Sequence, residues 1–107
     1  MEELQSLDEL LIRHPSDTFF VRVKGNSMIG AGIHDGSMLI VDRSIHPKDN
    51  KIIVAKVEGD FTVKRLRIRG KKMFLVAENP NYPAIEITPD TDFEIWGVVI
   101  HIIHTPC

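Results

Sequence analysis

Residues 52–68 read Ile52-Ile53-Val54-Ala55-Lys56-Val57, then Glu58-Gly59-Asp60, then Phe61-Thr62-Val63-Lys64-Arg65-Leu66-Arg67-Ile68. Two runs rich in β-branched residues flank a tight turn signal, which is the sequence form of a β-hairpin. The same texture continues outward in both directions. Phe19 to Lys24 reads as a strand that ends at Gly25, and Met38 to Val41 as another. After the hairpin, Gly70-Lys71-Lys72 makes a turn and Met73 to Ala77 the next strand. Asn79-Pro80-Asn81-Tyr82-Pro83 is a loop of strong turn residues. Ile85 to Ile87 is a short strand, and Phe93 to Ile103 is the last and longest. Seven short strands joined by such turns predict a mostly-β domain.

The start of the chain reads differently. Ser6-Leu7-Asp8-Glu9 fits a capping box, with Leu7, Leu10 and Leu11 on one helical face and Pro15 stopping the helix after His14. The expected organisation is an arm with a short helix over residues 1–18 and a domain over 19–107. A helix this short must dock on something to persist in water. At 107 residues the chain can bury a core without staples. Its one cysteine, Cys107, excludes an intramolecular disulfide and suits a reducing cytoplasm. Met1-Glu2-Glu3-Leu4 has no basic region leading into an apolar one, so no signal peptide is expected. The apolar runs are too short to span a membrane.

Ser27 lies in Gly25-Asn26-Ser27-Met28-Ile29-Gly30-Ala31-Gly32, where a strand runs into a glycine-bounded turn. Such a turn can expose a hydroxyl beside free backbone N–H groups, which is what an oxyanion hole requires. Read alone, the segment is usually an ordinary turn, and a nucleophilic serine needs a base. None of the five histidines shows a triad spacing. His101 and His104 fall on opposite faces of a predicted strand and cannot chelate one metal from it. All five read as surface or edge histidines, and no metal or cofactor is expected. Nothing near Cys107 would lower its pKa. Lysine serves as a base when burial disfavours its ammonium form. Lys64 shares a strand face with Thr62, Leu66 and Ile68, while Arg65 and Arg67 point the other way. It is therefore the basic residue directed inward. A lysine snorkelling from an edge strand is the alternative, kept open by Phe61 and Val63 on the other face.

Gly25-Asn26-Ser27-Met28 followed by Phe61-Thr62-Val63-Lys64-Arg65-Leu66 resembles the two signature boxes of the LexA-like, S24-type self-cleaving SOS peptidases, most closely their UmuD branch. Leu10-Leu11-Ile12-Arg13-His14-Pro15, Leu39-Ile40-Val41-Asp42 and Trp96-Gly97-Val98-Val99-Ile100-His101 resemble the same branch. The resemblance implies a LexA/signal-peptidase-like complex β fold. It implies Ser27 as nucleophile, Lys64 as its base, and an oxyanion held by the backbone N–H of Ser27 or Met28. It further implies a cytoplasmic homodimer that serves a UmuC-type translesion polymerase and answers to the RecA filament on single-stranded DNA. Relatives carry a Cys-Gly or Ala-Gly bond some thirty residues before the nucleophile. No such pair precedes Ser27 here, and Ala31-Gly32 lies inside the expected fold. The chain thus resembles a processed form, with no bond of its own to cut.

Two other readings stand beside this one. The chain could be the peptidase half of a LexA-type or phage repressor, which would need a DNA-binding domain upstream. Alternatively, Lys64, Arg65, Arg67, Arg69, Lys71 and Lys72 put six basic residues into nine positions. Over Lys64–Lys72 they could contact DNA weakly, although a solvated hairpin gives the same pattern. The net charge of −2 gives no general attraction to phosphate.

Overall fold

The hairpin forms as read. In the computed structural model the described residues are 3–4, 11–12 and 17–104. Strands β5 (Ile52–Val57) and β6 (Asp60–Arg69) pair antiparallel from Val57↔Asp60 to Ile52↔Arg65. The two linking residues, Glu58 and Gly59, have φ of 49° and 90°. Two successive positive φ values give the turn a twist that matches right-handed strands.

Around this hairpin lie β1 (Glu3–Leu4), β2 (Leu11–Ile12), β3 (Thr18–Lys24), β4 (Met38–Asp42), β7 (Lys72–Val76), β8 (Ile85–Ile87) and β9 (Phe93–Ile103). The sheet is antiparallel, in the order β1-β3-β4-β9-β5-β6-β7-β8, with β2 also pairing on β3. The last strand is thus inserted at the centre and joins β4 to β5. The short helix expected over Ser6–His14 falls mostly outside the described residues. Leu11 and Ile12, which that reading included, instead form a strand paired with Phe20 and Phe19. An open edge of β3 offers two residues a ladder, which a marginal isolated helix cannot match.

Two clusters fill the two faces of the sheet. Phe19, Val21 and Val23 of β3 and Leu39 and Val41 of β4 pack with Val54, Val63, Met28 and Ile33. Ile53, Ala55, Val57, Leu66, Leu75 and Val98 form the other cluster. Strands covered on both faces read as near-continuous apolar runs, which is why Ile52–Val57 does not alternate cleanly. Strand β9 bends through two bulges. Its register shifts between Ile40↔His101 and Val41↔Val99 against β4, and between Val54↔Gly97 and Ala55↔Ile95 against β5. The extra residues are Ile100 and Trp96, and each adds local bend and twist. The sheet curls far enough that β1 lies against β6.

Candidate active site

Both candidate residues are positioned by apolar anchors. Met28, fully buried, pins the turn after β3 into the first cluster. A single 3-10 turn, Ile29–Ala31, follows it. This turn packs so tightly that Gly30 N–H donates to the Glu78 carbonyl at 2.8 Å. A Cβ at Gly30 would lie 2.6 Å from that oxygen, so only glycine fits there. On the other side, the Gly25 N–H donates to Asp35 Oδ1 at 2.8 Å. Ser27 sits between these anchors and is 0% exposed.

Lys64 reaches the same point from the middle of β6. Thr62, Lys64 and Leu66 are buried, as the alternation predicts, and Lys64 is 1% exposed. The expected inward face fails at its end, since Ile68 is exposed. Lys64 Nζ lies 3.0 Å from Ser27 Oγ, 2.6 Å from Thr62 Oγ1 and 3.2 Å from the Val63 carbonyl oxygen. A neutral amine has two N–H donors and one lone pair. The Val63 carbonyl and the Thr62 hydroxyl can accept the donors, leaving the lone pair toward the Ser27 proton. Among the described residues, the N–H groups of Ser27 and Met28 meet no acceptor. Thr62 is the site contact that the sequence reading left without a role. Its signal was the same-face spacing of two residues from Lys64.

The basic stretch is not continuous on the surface: Lys64 is buried, while Lys71 and Lys72 are exposed. Lys64 lies in the interior, out of reach of a phosphate, so the expectation of a continuous Lys64–Lys72 contact is corrected there. Arg65 pairs with Glu78, Arg67 Nε lies 3.5 Å from Asp49 Oδ1, and Arg69 Nη1 lies 3.3 Å from Asp49 Oδ2. Carboxylates thus already face the three arginines. We therefore expect the double substitution Arg67→Ala/Arg69→Ala to leave affinity for single-stranded DNA unchanged. A loss of binding with a shallower salt dependence, measured by fluorescence anisotropy, would restore the DNA reading.

Among the described histidines, His34, His46, His101 and His104 are exposed. His104 follows the end of β9 rather than lying in it, and its ring stands 5.3 Å from that of His34. His14 and Cys107 lie outside the described residues. Among the described residues, no three potential ligands group to hold a metal ion. No helix among them is long and apolar enough to cross a membrane.

Residues 2–100 match the family described as Peptidase S24-like. Protein MucA of Salmonella typhimurium is 46% identical over 105 residues, covering 95% of this chain and 71% of that protein. Protein SamA of the same organism is 40% identical over 103 residues, covering 96% of this chain and 71% of its own length. LexA repressor 2 of Pseudomonas syringae pv. tomato is 44% identical over 85 residues, covering 79% of this chain and 42% of the repressor.

Proposed function

This chain belongs to the Peptidase S24-like family, and we propose that Ser27 and Lys64 are its nucleophile and general base. The observation that supports this most is the 3.0 Å approach of Lys64 Nζ to Ser27 Oγ in the interior. Burial penalises the ammonium form of an amine, which is the condition under which a lysine can serve as a base. The Ser27 oxygen attacks a peptide carbonyl as its proton passes to Lys64. The tetrahedral oxyanion is met by the N–H groups of Ser27 and Met28. Lys64 then returns the proton to the leaving amine, and water hydrolyses the ester by the same path. Thr62 holds the amine in line through its hydroxyl.

The chain acts as an SOS-response mutagenesis protein of the UmuD type. In this reading it is a homodimer that assists a UmuC-type translesion polymerase, and the RecA filament on single-stranded DNA triggers cleavage. The 46% identity to MucA and 40% identity to SamA, over 95% and 96% of this chain, support this reading.

The test is cleavage in trans. The chain is mixed with an arm-bearing relative whose nucleophile is alanine, between about pH 6 and pH 10, a span that brackets a lysine displaced below ~10.4. Deprotonation creates the active base, so product should increase as pH rises, and Ser27→Ala should form none. A flat profile, or product from Ser27→Ala, would reject the pair. Thr62→Val should slow cleavage about fivefold, because one hydrogen bond of about 1 kcal/mol is lost. An unchanged rate would remove Thr62 from the site.

A further inference from the structure

We propose that the segment Glu78-Asn79, tied to Arg65, positions the nucleophile turn against Lys64, which makes Arg65, Glu78 and Asn79 positioning residues. This role rests on the reading of Ser27 and Lys64 given above. Arg65 follows Lys64 on β6, and its side chain leaves the opposite face of the strand. Its Nε donates to Glu78 Oε1, and its Nη1 donates to the Asn50 carbonyl at 2.7 Å. The main-chain oxygen of Glu78 accepts from Gly30 N–H, three residues after the nucleophile. The Asn79 side chain donates from Nδ2 to the Asn26 carbonyl at 2.9 Å, one residue before it. Two adjacent residues therefore grip the turn on both sides of Ser27, and the carboxylate of one grips the strand that carries the base.

Besides the burial of its neighbour Met28, the Ser27 side chain has little else to fix it. Among the described residues its hydroxyl makes one hydrogen bond, to Lys64 itself. Its place is set by whatever holds Asn26 and Gly30. The Asp35 anchor on Gly25 ties the turn to the loop before β4, not to β6. Apart from the Lys64–Ser27 contact itself, the 78–79 segment links the turn to the strand of the base, through the Arg65–Glu78 pair and the Asn79–Asn26 bond. Reactions of this kind lose roughly a hundredfold for about 1 Å of misplacement. The Arg65–Glu78 pair is partly exposed, with side chains 22% and 33% accessible. As an ion pair it therefore adds little to global stability. Its loss should be felt at the site.

The experiment compares the wild-type chain with Glu78→Gln, Asn79→Ala and the exchange Arg65→Glu/Glu78→Arg. One readout is trans cleavage against pH. A second, independent of activity, is hydrogen exchange at the Gly30 amide, with Val54 in β5 as the internal control. We expect Glu78→Gln and Asn79→Ala each to slow cleavage at least tenfold and to move the pH midpoint upward, because a loosened turn admits water to Lys64. Exchange at Gly30 should quicken at least tenfold while Val54 is unchanged, and the double exchange should recover part of both losses. Unchanged rate, midpoint and Gly30 exchange would overturn the proposal. If the wild type cuts nothing, the Ser27/Lys64 reading fails, and Gly30 exchange alone decides whether the segment holds the turn.

Discussion

Replacing Lys64 with alanine is expected to lower trans cleavage by about a thousandfold or more, within the range that a positioned general base supplies. Among the described residues, Ser27 Oγ has its one hydrogen bond with Lys64, so no neighbour stands ready to take its proton. Alanine also opens a cavity where Lys64 was fully buried, which confuses loss of the base with loss of packing. Two further substitutions separate these effects. Lys64→Met keeps most of the volume and removes the amine. It should be as inactive as alanine yet at least as stable as wild type, since replacing a buried ionisable group by an apolar one is often neutral or stabilising. Lys64→Arg keeps a long basic side chain but cannot deprotonate, and should be inactive as well. A Lys64→Met or Lys64→Arg chain that cuts within tenfold of the wild-type rate would remove lysine from the mechanism.

The same substitution carries a signature in stability. The proposed role as a base requires that Lys64 bind its proton less readily in the folded chain, where it is buried, than in the unfolded one. The folded state is therefore penalised at low pH, and its stability rises as pH climbs toward the unfolded value of ~10.4. Lys64→Met removes this penalty, so its stability should depend less on pH than that of wild type in urea titrations. Equal slopes in the two proteins would mean that the lysine is charged in both states.

Strand β5, β8 and β9 boundaries were legible because each is a β-branched run between strong turn residues. The inward direction of Lys64 was legible because alternation on one strand is a local property. Its meeting with Ser27 was not, because that depends on how far the sheet curls. The curl depends on bulges at Trp96 and Ile100, and a bulge is defined against a partner's register that no single strand reveals. The grip of Glu78 and Asn79 on the turn was hidden for a related reason. Residues in a loop that reads only as turn-forming can bond across 53 positions, as Asn79 does to Asn26. At Leu11 and Ile12 the local capping pattern predicted a helix, and an unpaired edge of β3 prevailed over it. On the basic stretch the sequence counts charges but cannot show that Asp49 and Glu78 face three of them.

Gly97→Ala is expected to cost about 2–3 kcal/mol, the upper range for overpacking a tight site. Gly97 pairs with Val54 of β5 beside the bulge at Trp96, in the strand that joins the two halves of the sheet. A Cβ there would stand 2.6 Å from Val41 Cγ1, 3.0 Å from the Asp42 carbonyl oxygen and 3.2 Å from its carbon. Neither neighbour can give way easily. Val41 is fully buried in the first cluster, and its branched side chain has few rotamers to move to. Asp42 meets the new atom with main-chain atoms, so relief there requires β4 to shift against β9. At about 4–8 °C per kcal/mol for a domain of this size, Tm should fall by roughly 10–20 °C. Val41→Ala removes the shorter clash and leaves the other. Combined with Gly97→Ala it should therefore recover only part of the loss, with a favourable coupling in a double-mutant cycle. Full recovery would place all the strain on the valine, and a Gly97→Ala chain that melts within a few degrees of wild type would mean that β4 and β9 are not locked together at this point.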